Sequence, residues 1–228
     1  MTGVLVNAAA VVLGAMLGLA FGRFLTEKLT RAAMTGIALC TLYIGISGSL
    51  QGENPLITIA AMVSGAIIGT LLNLDCAVRR LGETAERLAR SKGGKPAGIS
   101  EGFVTASLLF CVGAMAVTGS LDAGLKGDNT TLYAKSALDF FSAIMLASTL
   151  GFGVALSGLS ILIYQGLIAL LAGFIAPLLT LQAVSAMGCA GSLLIIALSL
   201  NLLGITKIKV ADLLPAIVTA PLLALLFQ

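Results

Sequence analysis

The sequence predicts an all-α polytopic membrane protein, eight transmembrane helices forming one membrane domain over residues 1–228. Three observations lead there. Hydrophobic residues make up 58% of the chain and charged residues 10%, where a soluble domain carries about 25% charge. Mean hydropathy is +1.09. Apolar runs recur between short polar loops, and at roughly 20 residues per span the chain holds seven or eight helices and little else. The placement of lysine and arginine then decides between seven and eight.

The first run, Gly3–Phe21, has no positively charged leader and no obvious cleavage context, so it is expected to remain as a span. Gly14, Gly18 and Gly22 recur every four residues in it and form a smooth ridge for close helix packing. Asn7 is its polar exception. A basic loop with Arg23, Lys28 and Arg31 follows. The second span, Ala32–Leu50, ends in Gly45-Ile-Ser-Gly-Ser-Leu50, and the third, Leu56–Leu72, carries Gly65-x-x-x-Gly69. Residues 73–98 read as a cytoplasmic amphipathic helix and linker. Val78, Leu81, Ala85 and Leu88 fall at helical spacing, and Arg79, Arg80, Arg87 and Arg90 crowd the other positions. Such a helix over residues 73–92 lies on the membrane surface and meets anionic lipid; a solvated connector is the plain alternative.

The fourth span, Gly102–Leu121, leads into the polar loop Asp122–Thr131. The fifth, Leu132–Leu156, turns at Leu156-Ser-Gly158 into the sixth, Leu159–Leu178. The seventh covers Ala183–Leu203, and the eighth, Val210–Phe227, is interrupted by Pro215 and Pro221. With eight spans the basic loops, including Lys207 and Lys209, share the cytoplasmic face, leaving Lys126 and Lys135 on the other. Seven spans would put Lys207 and Lys209 outside. Eight spans therefore place both termini outside.

An internal repeat is also expected. Gly-Ser-Leu occurs at residues 48–50, 119–121 and 191–193, and Leu5–Gly14 resembles Ile163–Ala172 with Asn7 aligned to Gln165. Spans one to three would then correspond to six to eight in inverted orientation, a frequent transporter design with its site near the midplane.

The chain has no histidine, which removes histidine general bases and histidine metal ligands. Cys40, Cys76, Cys111 and Cys189 are widely separated, so neither a metal site nor a redox site is expected. Gly45-Ile-Ser47-Gly48 imitates the nucleophile motif of rhomboid proteases, but such a serine needs a base that this chain lacks. Aspartyl intramembrane proteases need two membrane carboxylates, and Asp139 stands alone. No enzyme and no cofactor are expected. The absence of a basic stripe interleaved with aromatics argues against nucleic acid.

Asp139 is the one carboxylate well inside an apolar segment, and Lys135, four residues earlier, shares its helix face. Ser142 and Thr149 are expected to continue that face. An ionisable group at membrane depth is costly and usually lines a polar pathway. The expected function is transport of a small solute or ion, with Asp139 binding a cation or proton and Lys135 tuning its charge. Asn7, Gln165 and Asn201 would supply neutral ligands, and Ser49, Ser120 and Ser192 would line the route. An ion channel and a non-transporting assembly or regulatory protein are the alternatives, as is a Lys135–Asp139 pair that only locks helices together. The expected partners are the lipid bilayer and the solute; a homo-oligomer stays open.

The segment Phe110–Asp128, continued by Lys135-Ser-Ala-Leu-Asp139, Leu150-Gly-Phe-Gly-Val154, Tyr164-Gln165-Gly166 and Leu213-Leu-Pro215, resembles the YqgA/YdfK family of bacterial inner-membrane proteins, domain of unknown function 554. The resemblance covers nearly the whole chain. It implies a bacterial polytopic protein of the inner membrane and brings no biochemistry with it.

Overall fold

The computed structural model describes residues 1–22, 26–52, 54–77, 80, 99–111, 114–176 and 180–227. Regular structure among them is helical throughout. The helices are α1 (Thr2–Gly22), α2 (Glu27–Ser49), α3 (Pro55–Leu71), α4 (Ile99–Cys111), α5 (Ala114–Leu125), α6 (Thr130–Leu150), α7 (Gly153–Leu170), α8 (Ala172–Ile175), α9 (Leu181–Leu202) and α10 (Ala216–Leu226). A 3₁₀ turn, Val210–Leu213, precedes α10. Local chemistry sets several starts. Asn54 accepts from the Leu56 N–H at 3.0 Å ahead of Pro55, and Thr180 accepts from the Ala183 N–H at 3.2 Å.

Four stretches are long and apolar enough to cross a membrane: Thr2–Gly22, Arg31–Ser49, Gly153–Leu170 and Leu181–Leu202. Helices α4 and α5, bent by 61° against each other, are apolar enough to make a fifth if the two are counted as one span. Exposed apolar side chains point the same way. Leu13 and Met16 on α1, Ile59 and Val63 on α3, Phe141 and Met145 on α6, and Ile163 and Leu167 on α7 are all open at the surface. Apolar exposure spread over so many helices suits a lipid solvent and no aqueous one. Helix α9 exposes a large apolar side chain only at Leu181, and α4 exposes none, so these two form the interior.

Glycines decide how closely the outer helices approach. A Cβ at Gly14, Gly18 or Gly22 would strike the backbone carbonyl of Phe140, Ile144 or Ser148 respectively. This stepwise match shows α1 and α6 running parallel with their backbones in contact, as the four-residue glycine ridge predicts. Gly65 meets Ala216 and Gly69 meets Asp212, which makes α3 and α10 antiparallel. Gly45 against Ile196 and Gly52 against Cys189 do the same for α2 and α9. Ser107 Oγ donates to Ser160 Oγ at 2.9 Å where α4 runs parallel to α7.

Two sequence expectations change. The turn expected at Leu156-Ser-Gly158 lies at Gly151-Phe152, because Gly151 takes a positive φ of 77° that ends α6, and Ser157 and Gly158 are buried inside α7. The fourth span falls on α4 and α5, with residues 112–113 between them outside the described residues. The eighth begins as a 3₁₀ turn, since Pro215 has no N–H to continue an α-helix. Of the amphipathic segment 73–98, only residues 73–77 and 80 are described; the rest of that expectation lies outside the described residues.

The loop after α5 is tied to α1. Asn129 Oδ1 accepts the Gly3 N–H at 2.9 Å. Asp128 accepts from the Thr130 N–H and hydroxyl at 2.9 and 2.7 Å, and these bonds hold its carboxyl below the usual range. Lys126 and Asp122 form an exposed ion pair at 2.8 Å, which raises the Lys126 ammonium.

Candidate functional site: a buried charge pair beside a broken helix

Asp139 lies nine residues into the 21-residue α6, about 14 Å along the axis at 1.5 Å per residue and close to the middle of that helix. The i,i+4 spacing brings Lys135 Nζ to 2.5 Å from Asp139 Oδ2, with the residues 5% and 7% exposed. Such burial makes the pair net neutral by necessity: either charge alone would be left without water.

Three other helices close around it. Lys135 Nζ sits 6.0 Å from the centre of the Phe110 ring, and Cys111 feels both charges, so the pair stands beside the end of α4. Asn7 of α1 faces the Asp139 carboxylate. Its Nδ2 donates to Gln165 Oε1 of α7 at 3.3 Å, and both residues are fully buried. Each amide keeps one atom without a partner: Asn7 Oδ1, an acceptor, and Gln165 Nε2, a donor. A buried polar atom left unpaired costs about 1–3 kcal/mol. Two such atoms depart from the usual pairing of buried polar groups.

Four of the nine expected site residues therefore meet: Lys135, Asp139, Asn7 and Gln165. The other five do not. Ser142 faces outward and donates to the Leu138 carbonyl at 2.9 Å, because α6 turns Ala143 and Leu146, rather than Ser142, onto the Asp139 face. Thr149, half-buried, bonds back to Met145 and Leu146. Asn201 is a loop clamp. Its Nδ2 donates to the Ile208 carbonyl at 2.7 Å, and its Oδ1 accepts from Thr206 and the Ile208 N–H. Ser49, Ser120 and Ser192 each donate to their own helix, to Ile46, Ala116 and Gly188. Ser49 and Ser192 lie on the α2–α9 seam, away from Ser120.

Sequence reading missed Phe110 and Cys111 as neighbours of the pair. It also missed Asp212. That carboxylate is buried beside Gly69 and accepts the Asp75 N–H at 2.8 Å, so it stitches the chain after α3 to the start of the last span. A cavity of about 680 Å³ lies at the other end of this half, between the α2–α3 turn, the start of α9 and the end of α10. Asn54, Thr58, Gln182 and Ser185 line it, all neutral. Among the described residues, no group of three or more acidic or cysteine side chains is placed to hold a metal.

The family described as protein of unknown function (DUF554) matches residues 2–225. The chain belongs to the DUF554 family. The chain is 35% identical over 221 residues to the uncharacterized protein YqgA of Escherichia coli (strain K12), covering 96% of this chain and 94% of that one. It is 28% identical over 225 residues to the uncharacterized membrane protein YdfK of Bacillus subtilis (strain 168), covering 97% and 94%. No solved structure matches. For this DUF554 chain the apolar helices and the name of the second relative agree on a membrane protein.

Proposed function

We propose that this protein is a transporter of a small solute or ion in the bacterial inner membrane, with Asp139 as the group that exchanges partners. One observation carries the reading: a neutral Lys135–Asp139 pair buried mid-helix, beside the end of α4 in the bent α4–α5 helix pair, with an unpaired amide acceptor and donor in the same cluster. A purely structural lock needs no broken helix at its side and no orphaned polar atoms. Interrupted helices near the midplane are where transporters place their sites. The reading involves no catalytic step.

It includes eight spans. The helix directions support them, since α1 runs with α6 and against α7, while α2 opposes α9 and α3 opposes α10. It includes an inverted repeat too. Asn7 touches Gln165, Gly48 approaches Ser192, and Gly65 approaches Ala216, so each of the first three helices packs on its repeat counterpart. Helices flanking a two-fold axis do this.

Reconstituted into liposomes, the wild type is expected to carry a proton or cation flux under an imposed ion gradient, read by a fluorescent indicator. Lys135→Met/Asp139→Leu should fold and carry none. A folded double variant with undiminished flux would reduce the pair to a lock. Single cysteines at Asp128 and Lys207, in a background without native cysteines, should label from outside and inside respectively. Labelling of position 207 from outside would break the eight-span topology.

A further inference from the structure

We infer that the Lys135–Asp139 site binds a small zwitterion, a solute carrying one carboxylate and one ammonium group, by trading the internal ion pair for two pairs with the solute. This rests on the transport reading and names its substrate class.

The argument is one of charge and valence. The pair is neutral and nearly free of water, at 5% and 7% exposure. A lone cation bound at Asp139 would leave Lys135 positive and the site with a net charge. A lone anion at Lys135 would strand Asp139. Both place an uncompensated charge in an apolar bundle, which is far costlier than a matched pair. A metal cation also needs several oxygen ligands, and here the ammonium already occupies the carboxylate. A zwitterion keeps the sum at zero throughout. Its carboxylate takes Lys135 while its ammonium takes Asp139.

The orphaned amides fit the same solute. Gln165 Nε2 is a free donor suited to the incoming carboxylate, and Asn7 Oδ1 is a free acceptor suited to the incoming ammonium. Neither a simple cation nor a simple anion uses both. The Phe110 ring lies 6.0 Å from Lys135 Nζ and the pair is 5% and 7% exposed, so the enclosed site suits only a short solute. The titratable groups facing the pair from packed helices are Cys111 of α4 and, behind it, Tyr164 of α7; neither carries a charge that would offset a lone ion.

The test uses the full-length protein in lipid nanodiscs and reads thermal unfolding. The probes are the protein amino acids and glycine betaine, each alone, with acetate and methylamine as single-charge controls. At a hundredfold excess over Kd, at least one short zwitterion should raise the midpoint by roughly 5–10 °C. Acetate and methylamine should not. The shift should vanish in Lys135→Met/Asp139→Leu and shrink in Gln165→Met, which keeps the volume but removes the donor. Absence of a shift with every zwitterion, an equal shift with acetate or methylamine, or a shift that survives the double variant would each overturn the proposal. Uptake of the shifting zwitterion, radiolabelled, into the same liposomes separates the two readings, because a neutral solute carries no ion current. Ion flux without a zwitterion shift discards the substrate class and leaves transport standing; a zwitterion shift with neither uptake nor ion flux does the reverse.

Discussion

The half of the molecule built from α1, α6 and α7 and the half built from α2, α3, α9 and α10 use the same device for different ends. In both, glycines let backbones touch: Gly14, Gly18 and Gly22 on α6, and Gly45, Gly65 and Gly69 on α9 and the last span. In the first half that closeness walls off an ion pair and two buried amides from lipid and water. In the second it seals a seam of hydroxyls and thiols, with Thr58 donating to Cys189 and Cys189 to the Ser49 carbonyl, below a neutral cavity. Close packing is thus generic in this fold. What distinguishes the halves is how the enclosed charge is met: the first holds the Lys135–Asp139 ion pair, the second the Asp212 carboxylate, which accepts a backbone N–H from Asp75.

The largest effect should come from splitting the enclosed charge. Asp139→Leu strands the Lys135 ammonium and is expected to cost about 3–5 kcal/mol, whereas adding Lys135→Met should restore most of it, because a buried pair replaced by apolar residues is often neutral. Chemical denaturation of the single and double variants measures this. Additive losses would mean that the two residues do not act as a pair. No substitution of the neutral cavity residues Gln182 or Ser185 should match the single variant's loss.

Overpacking comes next and tests the shared device. Gly18→Leu drives a side chain into the Ile144 carbonyl and should cost about 1–3 kcal/mol or more, since backbone yields less than a side chain. Gly36→Ala meets nothing within 4 Å and should be neutral or stabilising by up to about 1 kcal/mol. Equal thermal midpoints for the two would show that the α1 face points to lipid.

The smallest effect is expected in the α5–α6 loop. Asp128 is held below its ordinary pKa by the Thr130 donors. Its contribution is therefore present above the unfolded carboxyl pKa and is lost as pH falls through the folded one. Asp128→Asn should flatten the acid limb of the stability profile slightly, and the full exposure of the group keeps the change small. An unchanged acid limb would mean that the Thr130 bonds do not outlast solvent competition.

The sequence by itself determined the solvent, the helical class and the identity of the central pair. Apolar runs without charge can only satisfy their backbones as helices in lipid, and Lys135 and Asp139 are four residues apart on one of them. It also determined the Gly14–Gly22 ridge, because a four-residue glycine period has one meaning in an apolar helix. Tertiary structure decided what one chain position cannot carry. The pairing of Asn7 with Gln165, 158 residues apart, depends on α1 and α7 crossing at that height. The exclusion of Ser142 depends on a rotation of α6 that only its neighbours fix. Asn201 looked like a ligand because an amide near a span end suits many roles, and only the loop folding back onto it made it a clamp. Local periodicity fixes which residues share a face; which faces meet is set by packing between segments that are distant in sequence.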